Sequence, residues 1–319
     1  MISIPTSLPD DETLRRGLAS ILGTDDTGNR QPGFSVLGRE YNEYSSTYPS
    51  EIVSCRMEDG RMLHLHCKYS KELELKGHRK GIIHEARVYQ HILQESTSKT
   101  PRYYGIYNDL RQGNTWLVLE HIDNALRVYG SENGLLHAAR WLGNFHRENT
   151  KHLTTYSILE KYDAKYYLKW ARQTKSFISP SQKNPIWLDD LCDNYQEAIN
   201  LLLSTEQTII HAEFYPKNIL IKDENVYPID WESASIASGE LDLAALTEGW
   251  PEPMAKQCVT EYQKYRWPEG APASFREILS VARIHWQLRW LGDNPICSEN
   301  KKRWRLKNLL HEGQQLGLI

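Results

Sequence analysis

The chain has 319 residues, 38 basic and 41 acidic side chains, a net charge of −3 and 40% hydrophobic residues. At roughly 150 residues per domain this is enough for two domains or one bilobal unit, with a core that needs neither disulfides nor metals. The charge balance excludes a global pull towards nucleic acid or an anionic membrane, and no run approaches the ~18 apolar residues of a membrane span. Asp10, Asp11 and Glu12 stand where a signal peptide needs an apolar core, so a cytoplasmic protein without membrane or nucleic-acid partners is expected. The cysteines, Cys55, Cys67, Cys192, Cys258 and Cys297, are odd in number and form no Cys-x-x-Cys pair, which suits reduced, buried thiols.

Residues 13–22 form a short predicted helix behind the acidic cap, and residues 23–33, dense in turn formers, a loop. Strands are expected at 36–44, 52–57 and 62–69. The last alternates strictly, with Leu63, Leu65, Cys67 and Tyr69 on one face and His64, His66 and Lys68 on the other. A helix over 81–93 carries the stripe Ile82, Ala86, Tyr89 and Leu93, and strands at 103–107 and 115–120 follow. Together these make a small antiparallel sheet bearing one helix. Helices are predicted at 135–146, through most of 156–203 with a break at Ser179-Pro180, at 275–291 and at 302–310, with a hairpin of strands 218–221 and 226–229 between. The expected fold is α+β, with a β-rich lobe over 1–120 and a mainly helical lobe over 121–319. A ligand cleft is expected near residues 121–123.

The densest chemistry lies in His211-Ala-Glu-Phe-Tyr-Pro-Lys-Asn218 and in Pro-Ile-Asp230-Trp-Glu232 at the end of the hairpin. Glu213 and Asn218 stand five residues apart, and Asp230 follows twelve later. That set suits phosphoryl transfer from ATP: one carboxylate orients the attacking hydroxyl, and an amide and a second carboxylate hold Mg²⁺ through hard oxygen atoms. His211-Ala-Glu213 also fits a zinc deaminase, but the later Pro-Cys-x-x-Cys is missing. No Gly-x-x-x-x-Gly-Lys-Ser/Thr, Gly-x-Gly or Gly-x-Ser-x-Gly occurs, which removes P-loop, dinucleotide and nucleophile-elbow readings.

His-x-acid-x-x-Pro-x-Asn followed by Ile-Asp-Trp-Glu, with Gly239-Glu-Leu-Asp242-Leu-Ala downstream, resembles the aminoglycoside phosphotransferase and choline kinase-like family, a branch of the protein kinase-like fold. The likeness is specific over residues 211–245 and rests on element placement before them. It implies Glu213 as base, His211 as support of its loop, Asn218 and Asp230 as Mg²⁺ ligands, and Asp242 as a brace. It also implies Lys68 at the α- and β-phosphates, held by Glu85, with His66 towards the adenine. Glu85 lies on an apolar stripe, where a carboxylate needs a cation to be buried, and Lys68 is the candidate.

One position departs from the family's usual residue, and one turn lacks the Gly-rich pattern of protein kinases. Glu213 stands where Asp is usual, and Ser45, Ser46 and Thr47 occupy a first turn that lacks glycine, so hydroxyls and amides would hold the phosphates there. The implied function is ATP- and Mg²⁺-dependent transfer of the γ-phosphoryl group to a small-molecule hydroxyl. A nucleotide-binding regulator that no longer catalyses and a Ser/Thr peptide kinase remain alternatives. Asp189, Asp190, Asp193, Glu248 and Glu252 are interleaved with apolar residues, which favours a less cationic acceptor than an aminoglycoside. The run 301–305 reads as a solvated helix face, and the aromatic run 162–170 as lobe core.

Overall fold

A computed structural model describes residues 8–23, 33–45, 48–71, 79–109, 113–151, 153, 157–178, 185–293 and 298–319. The chain divides into two compact units, Met1–Leu126 with Tyr227–Glu232, and Arg127–Val226 with Ser233–Ile319.

The first unit opens with α1 (Asp11–Leu22). Asp10 caps it, its carboxylate accepting from the Thr13 amide at 2.7 Å, and Asp11 and Glu12 complement the positive end of the helix dipole. Strands β1 (Phe34–Tyr41), β2 (Ser50–Met57) and β3 (Met62–Lys71) follow, then α2 (Ile82–Val88), β4 (Tyr103–Asp109) and β5 (Asn114–Glu120). The strands form one antiparallel sheet in the order β1-β2-β3-β5-β4. The helix predicted over 81–93 is α2 continued by a π-helical turn, Tyr89–Leu93.

Leu65, Cys67 and Tyr69 point into a core shared with Leu14, Leu18 and Trp116, as the alternation of β3 requires. The sheet therefore carries α1 as well as α2, one helix more than expected. Gly17 is where α1 crosses Trp116: an added Cβ would stand 2.3 Å from the indole ring. That ring meets Tyr69 and Tyr107 edge-on at 5.1 and 5.0 Å.

After the two-residue strand β6 (Leu126–Arg127), the chain continues with α3 (Glu132–Asn149), α4 (Ala164–Ile178), α5 (Ile186–Ser204), β7 (Gln207–Ile210) and β8 (Ile219–Lys222) in the second unit, β9 (Asn225–Pro228), whose last two residues belong to the first unit, and β10 (Ser235–Ser238) in the second. Helices α6 (Glu240–Thr247), α7 (Glu252–Arg266), α8 (Phe275–Asp293) and α9 (Glu299–Gln315) complete it. The helix expected from 156 starts only at Ala164, where Asp163 accepts from the Tyr166 amide at 2.8 Å; before it, Tyr162 N–H bonds the Ile236 carbonyl in an extended segment. Strands β7 and β10, not predicted, pair antiparallel, and each leads directly into the motif region, β7 into His211 and β10 into Gly239. Tyr162, Tyr167 and Trp170 lie in the core of this unit with Trp286, as the aromatic run suggested. Cys55, Cys67, Cys192 and Cys258 are buried thiols; Cys297 lies outside the described residues.

Candidate active site

In the first unit, β3 presents Lys68 on the face opposite the Leu65–Cys67 core. Lys68 is 9% exposed, and its ammonium donates to Glu85 Oε2 at 2.6 Å and to Asp230 Oδ1 at 2.7 Å. Helix α2 places Glu85 on its buried face, one step from Ala86 and beneath Lys68. Burial opposes the lysine charge, but Asp230 and Glu85 outweigh it and hold its pKa well above the ordinary value. Burial also lifts Glu85 above the usual carboxylate range, with Lys68 acting the other way. The 2.6 Å contact gives Lys68 and Glu85 the geometry of a close, buried ion pair. The Tyr48 ring, which the sequence did not single out, faces the same ammonium 5.2 Å from its centroid.

Asp230 itself has φ 71°, a left-handed backbone that Asp tolerates better than most residues and that turns its carboxylate towards Lys68. Glu232, two residues on, is 1% exposed and lies 3.4 Å from Arg79. Burial pushes its carboxyl up to about 7, opposed by Lys68. The Glu232 carbonyl accepts from the Lys80 amide at 3.1 Å, which ties residues 227–232 to the approach of α2.

The remaining candidates of this unit are more ordinary. His66 Nε2 lies 3.3 Å from the Asn42 amide nitrogen. Ser45 Oγ shares a 2.7 Å hydrogen bond with Ser50 Oγ, and the Ser45 amide donates to the Asn42 carbonyl, so this residue closes the β1–β2 turn. Ser46 and Thr47 lie outside the described residues. His64 pairs with Asp123 at 2.8 Å, so it is engaged within its own strand neighbourhood.

In the second unit the end of β7 carries a tightly held loop. Asp242, fully buried on α6, accepts from the His211 amide at 2.6 Å and from the Ala212 amide at 2.9 Å. Burial pushes its carboxyl up to about 7, against those two amide donors. His146 Nε2 lies 3.4 Å from the same carboxylate; burial and Arg266 keep that imidazole well below its usual pKa, hence neutral.

Ala212 has φ 62°, a conformation that costs a residue with a Cβ about 1–2 kcal/mol and persists only where surroundings over-determine it. His211 Nδ1 accepts from the Glu213 amide at 3.2 Å, and Asn218 Nδ2 donates to the Glu213 carbonyl at 3.1 Å. Glu213 is 6% exposed, and its Oε1 accepts from Arg289 Nη2 at 3.2 Å.

Arg289 was not anticipated, although the signal was there. It follows Ala282, His285 and Trp286 at helical spacing on a buried helix, the same argument that singled out Glu85. Arg305 is a correction of the same kind. It leaves the expected solvated face of run 301–305, bonds Glu248 and Gln287 at 3.0 Å each, and lies 4.6 Å from the Trp290 ring centroid. Tyr215 OH accepts from the Trp290 indole N–H at 2.8 Å.

At the end of β7 the left-handed Ala212 thus precedes Glu213, and the buried Asp242 of α6 holds the His211 and Ala212 amides. The sequence matches the model of the phosphotransferase enzyme family over residues 72–278. The chain belongs to that family. It is accordingly an enzyme of the kinase type.

No curated protein matches the sequence significantly. Among solved structures, the choline kinase LicA from Streptococcus pneumoniae is 15% identical, with 94% of this chain and 99% of that chain covered and a TM-score of 0.62. A choline kinase from Cryptosporidium parvum is also 15% identical, over 97% of this chain and 98% of that chain, at TM-score 0.63. The spectinomycin phosphotransferase APH(9)-Ia, solved with ADP and spectinomycin, is 13% identical over 98% and 100%, again at 0.63. At such identities the likeness is one of fold, and this family member has the protein kinase-like fold with a β-rich N-terminal lobe and a mainly helical C-terminal lobe.

Proposed function

We propose that this family member transfers the γ-phosphoryl group of ATP to a hydroxyl of a small, non-cationic molecule. The observation that carries the reading is the buried Lys68 held between Glu85 and Asp230. A charged lysine withdrawn from water between two carboxylates is poised for the α- and β-phosphates of a nucleotide. On this reading the first unit would form the nucleotide side, with His66 and Ser45 near the nucleotide. The second supplies the acceptor side. Structures of similar fold contain AMP, ADP and GDP, which supports a nucleotide ligand here.

The donor atoms fit Mg²⁺. Asn218 spends its amide nitrogen on the Glu213 carbonyl, which leaves the amide oxygen as its ligating atom, and Asp230 offers a carboxylate. When bound, the ion would neutralise charge on the phosphates. In the transfer, the acceptor oxygen bonds to the γ-phosphorus. The bond from that phosphorus to the β-bridging oxygen breaks, ADP leaves with the electron pair, and the hydroxyl proton passes to Glu213. His211 and Asp242 hold the loop that presents this carboxylate.

The acceptor class follows from charge. Lys175 pairs with Asp189 at 3.2 Å and Asp193 at 3.0 Å, Arg305 with Glu248 at 3.0 Å, Lys256 with Glu252 at 2.6 Å, and Arg289 with Glu213 at 3.2 Å. Of the acids named for a polycation, Asp189, Asp193, Glu248 and Glu252 already pair with cations of the same unit, so an ammonium-bearing acceptor would have to displace those cations.

The test has two stages. Calorimetric titration should show ATP binding that Lys68→Ala weakens, and a chain that binds no nucleotide with or without Mg²⁺ overturns the reading. A mass-spectrometric screen for ATP-dependent gain of one phosphate should then find acceptors among neutral or acidic hydroxyl compounds rather than choline or aminoglycosides. With that acceptor, Glu213→Gln should slow transfer by at least about 100-fold and leave ATP affinity unchanged.

A further inference from the structure

Arg289, on α8, is 3% exposed and belongs to no motif. Its Nη1 donates to the Ala212 carbonyl at 2.8 Å and its Nη2 to Glu213 Oε1 at 3.2 Å. The guanidinium carbon lies 4.2 Å from the Trp286 ring centroid, which fixes the plane of the fork. The left-handed Ala212 is therefore gripped on both sides, at its N–H by Asp242 and at its carbonyl by Arg289. An ordinary structural ion pair would need only the carboxylate. This fork spans the strained residue and the carboxylate next to it. A glutamate carboxylate reaches one methylene beyond the family's usual aspartate, with one more rotatable bond, so its location is set by whatever holds it.

We propose that Arg289 is a positioning residue for Glu213: its fork ties the carboxylate to the Ala212 carbonyl and so sets where the acceptor proton is received. The inference rests on the role given to Glu213 above. Displacing a reacting group by about 1 Å costs roughly 100-fold in rate. Arg289→Met, which keeps an unbranched side chain beside Trp286 but no fork, should lower kcat by about that factor, with KM for Mg-ATP and calorimetric ATP affinity unchanged. Arg289→Lys keeps the charge without the fork and should fall between wild type and the methionine variant.

The deciding comparison is the same substitution in a Glu213→Gln background, where Arg289→Met should cause no further loss of kcat, because the charge it positions is gone. An unchanged kcat for Arg289→Met, or an equal fold-loss in both backgrounds, overturns the proposal. If Arg289→Met does not fold, the lysine variant carries the comparison: it should lose kcat in the wild-type background and nothing further in Glu213→Gln.

A wild type that transfers phosphate to no acceptor and not to water defeats the functional reading instead. The contact between 289 and 213 is then judged from urea unfolding of the same variants. Non-additive midpoint shifts support the tie, and additive shifts overturn it.

Discussion

Glu85→Ala probes the ion cluster on which the nucleotide side depends. Glu85 is 1% exposed, Lys68 is 9% exposed, and their charged atoms are 2.6 Å apart. With charge centres about 4 Å apart and an effective dielectric near 20, the attraction is about 4 kcal/mol. Against it stands the cost of burying the carboxylate, visible in the upward shift of the Glu85 pKa. Deleting one partner of a buried pair costs about 3–5 kcal/mol, because the other is left without compensation. Here Lys68 retains Asp230, whose side chain is 29% exposed and partly hydrated, so the lower end applies, about 3 kcal/mol.

At about 2–4 °C per kcal/mol for domains near this size, Tm should fall by about 6–12 °C in scanning calorimetry. Glu85→Gln keeps the shape and one acceptor oxygen and should fall less. ATP should also stabilise the alanine variant less than wild type, since stabilisation by a ligand follows its affinity. A Tm within about 1 °C of wild type for Glu85→Ala would refute the reasoning, because it would mean that Lys68 does not need its buried partner.

Two further outcomes are expected. The Asp242 carboxyl, ordinarily near 3.8, is raised to about 7 by burial in the folded chain, so the fold holds a proton there that the unfolded chain has lost. Its contribution to stability is therefore complete below about pH 4 and is lost as pH rises to about 7. Asp242→Asn lacks this change, so the urea midpoints of wild type and variant should diverge across that window and run parallel above it; curves parallel throughout contradict the assignment. Gly17→Ala should gain about 1 kcal/mol of helix propensity but lose more. Its Cβ would stand 2.3 Å from Trp116, a fully buried ring hemmed by Tyr69 and Tyr107, and overpacking costs about 1–3 kcal/mol. A denaturation midpoint above that of wild type would show that α1 can shift away from the sheet.

Periodicity alone determined much of this protein. The alternation of β3 put Lys68 on the face away from Leu65 and Cys67, and the helical stripe put Glu85 where burial demands a cation; both follow from local geometry. The motif over residues 211–245 named the family because its chemistry is compressed into a few adjacent residues.

Strands β7 and β10 were illegible for the opposite reason. Their Thr208, Ser235 and Ser238 are fully buried, yet they break any apolar pattern, and their hydroxyls are satisfied by groups such as the His146 and Ser233 carbonyls or the Glu240 carboxylate. Helix α6 is buried on every side and so has no amphipathic period to detect.

Arg289 shows the limit most clearly. The sequence could mark it as a charge on a buried helix, but its partner is 76 residues away. Periodicity reports which face a side chain occupies, while the choice of partner depends on how separate helices and strands pack. Only the tertiary structure decided that this guanidinium meets Ala212 and Glu213.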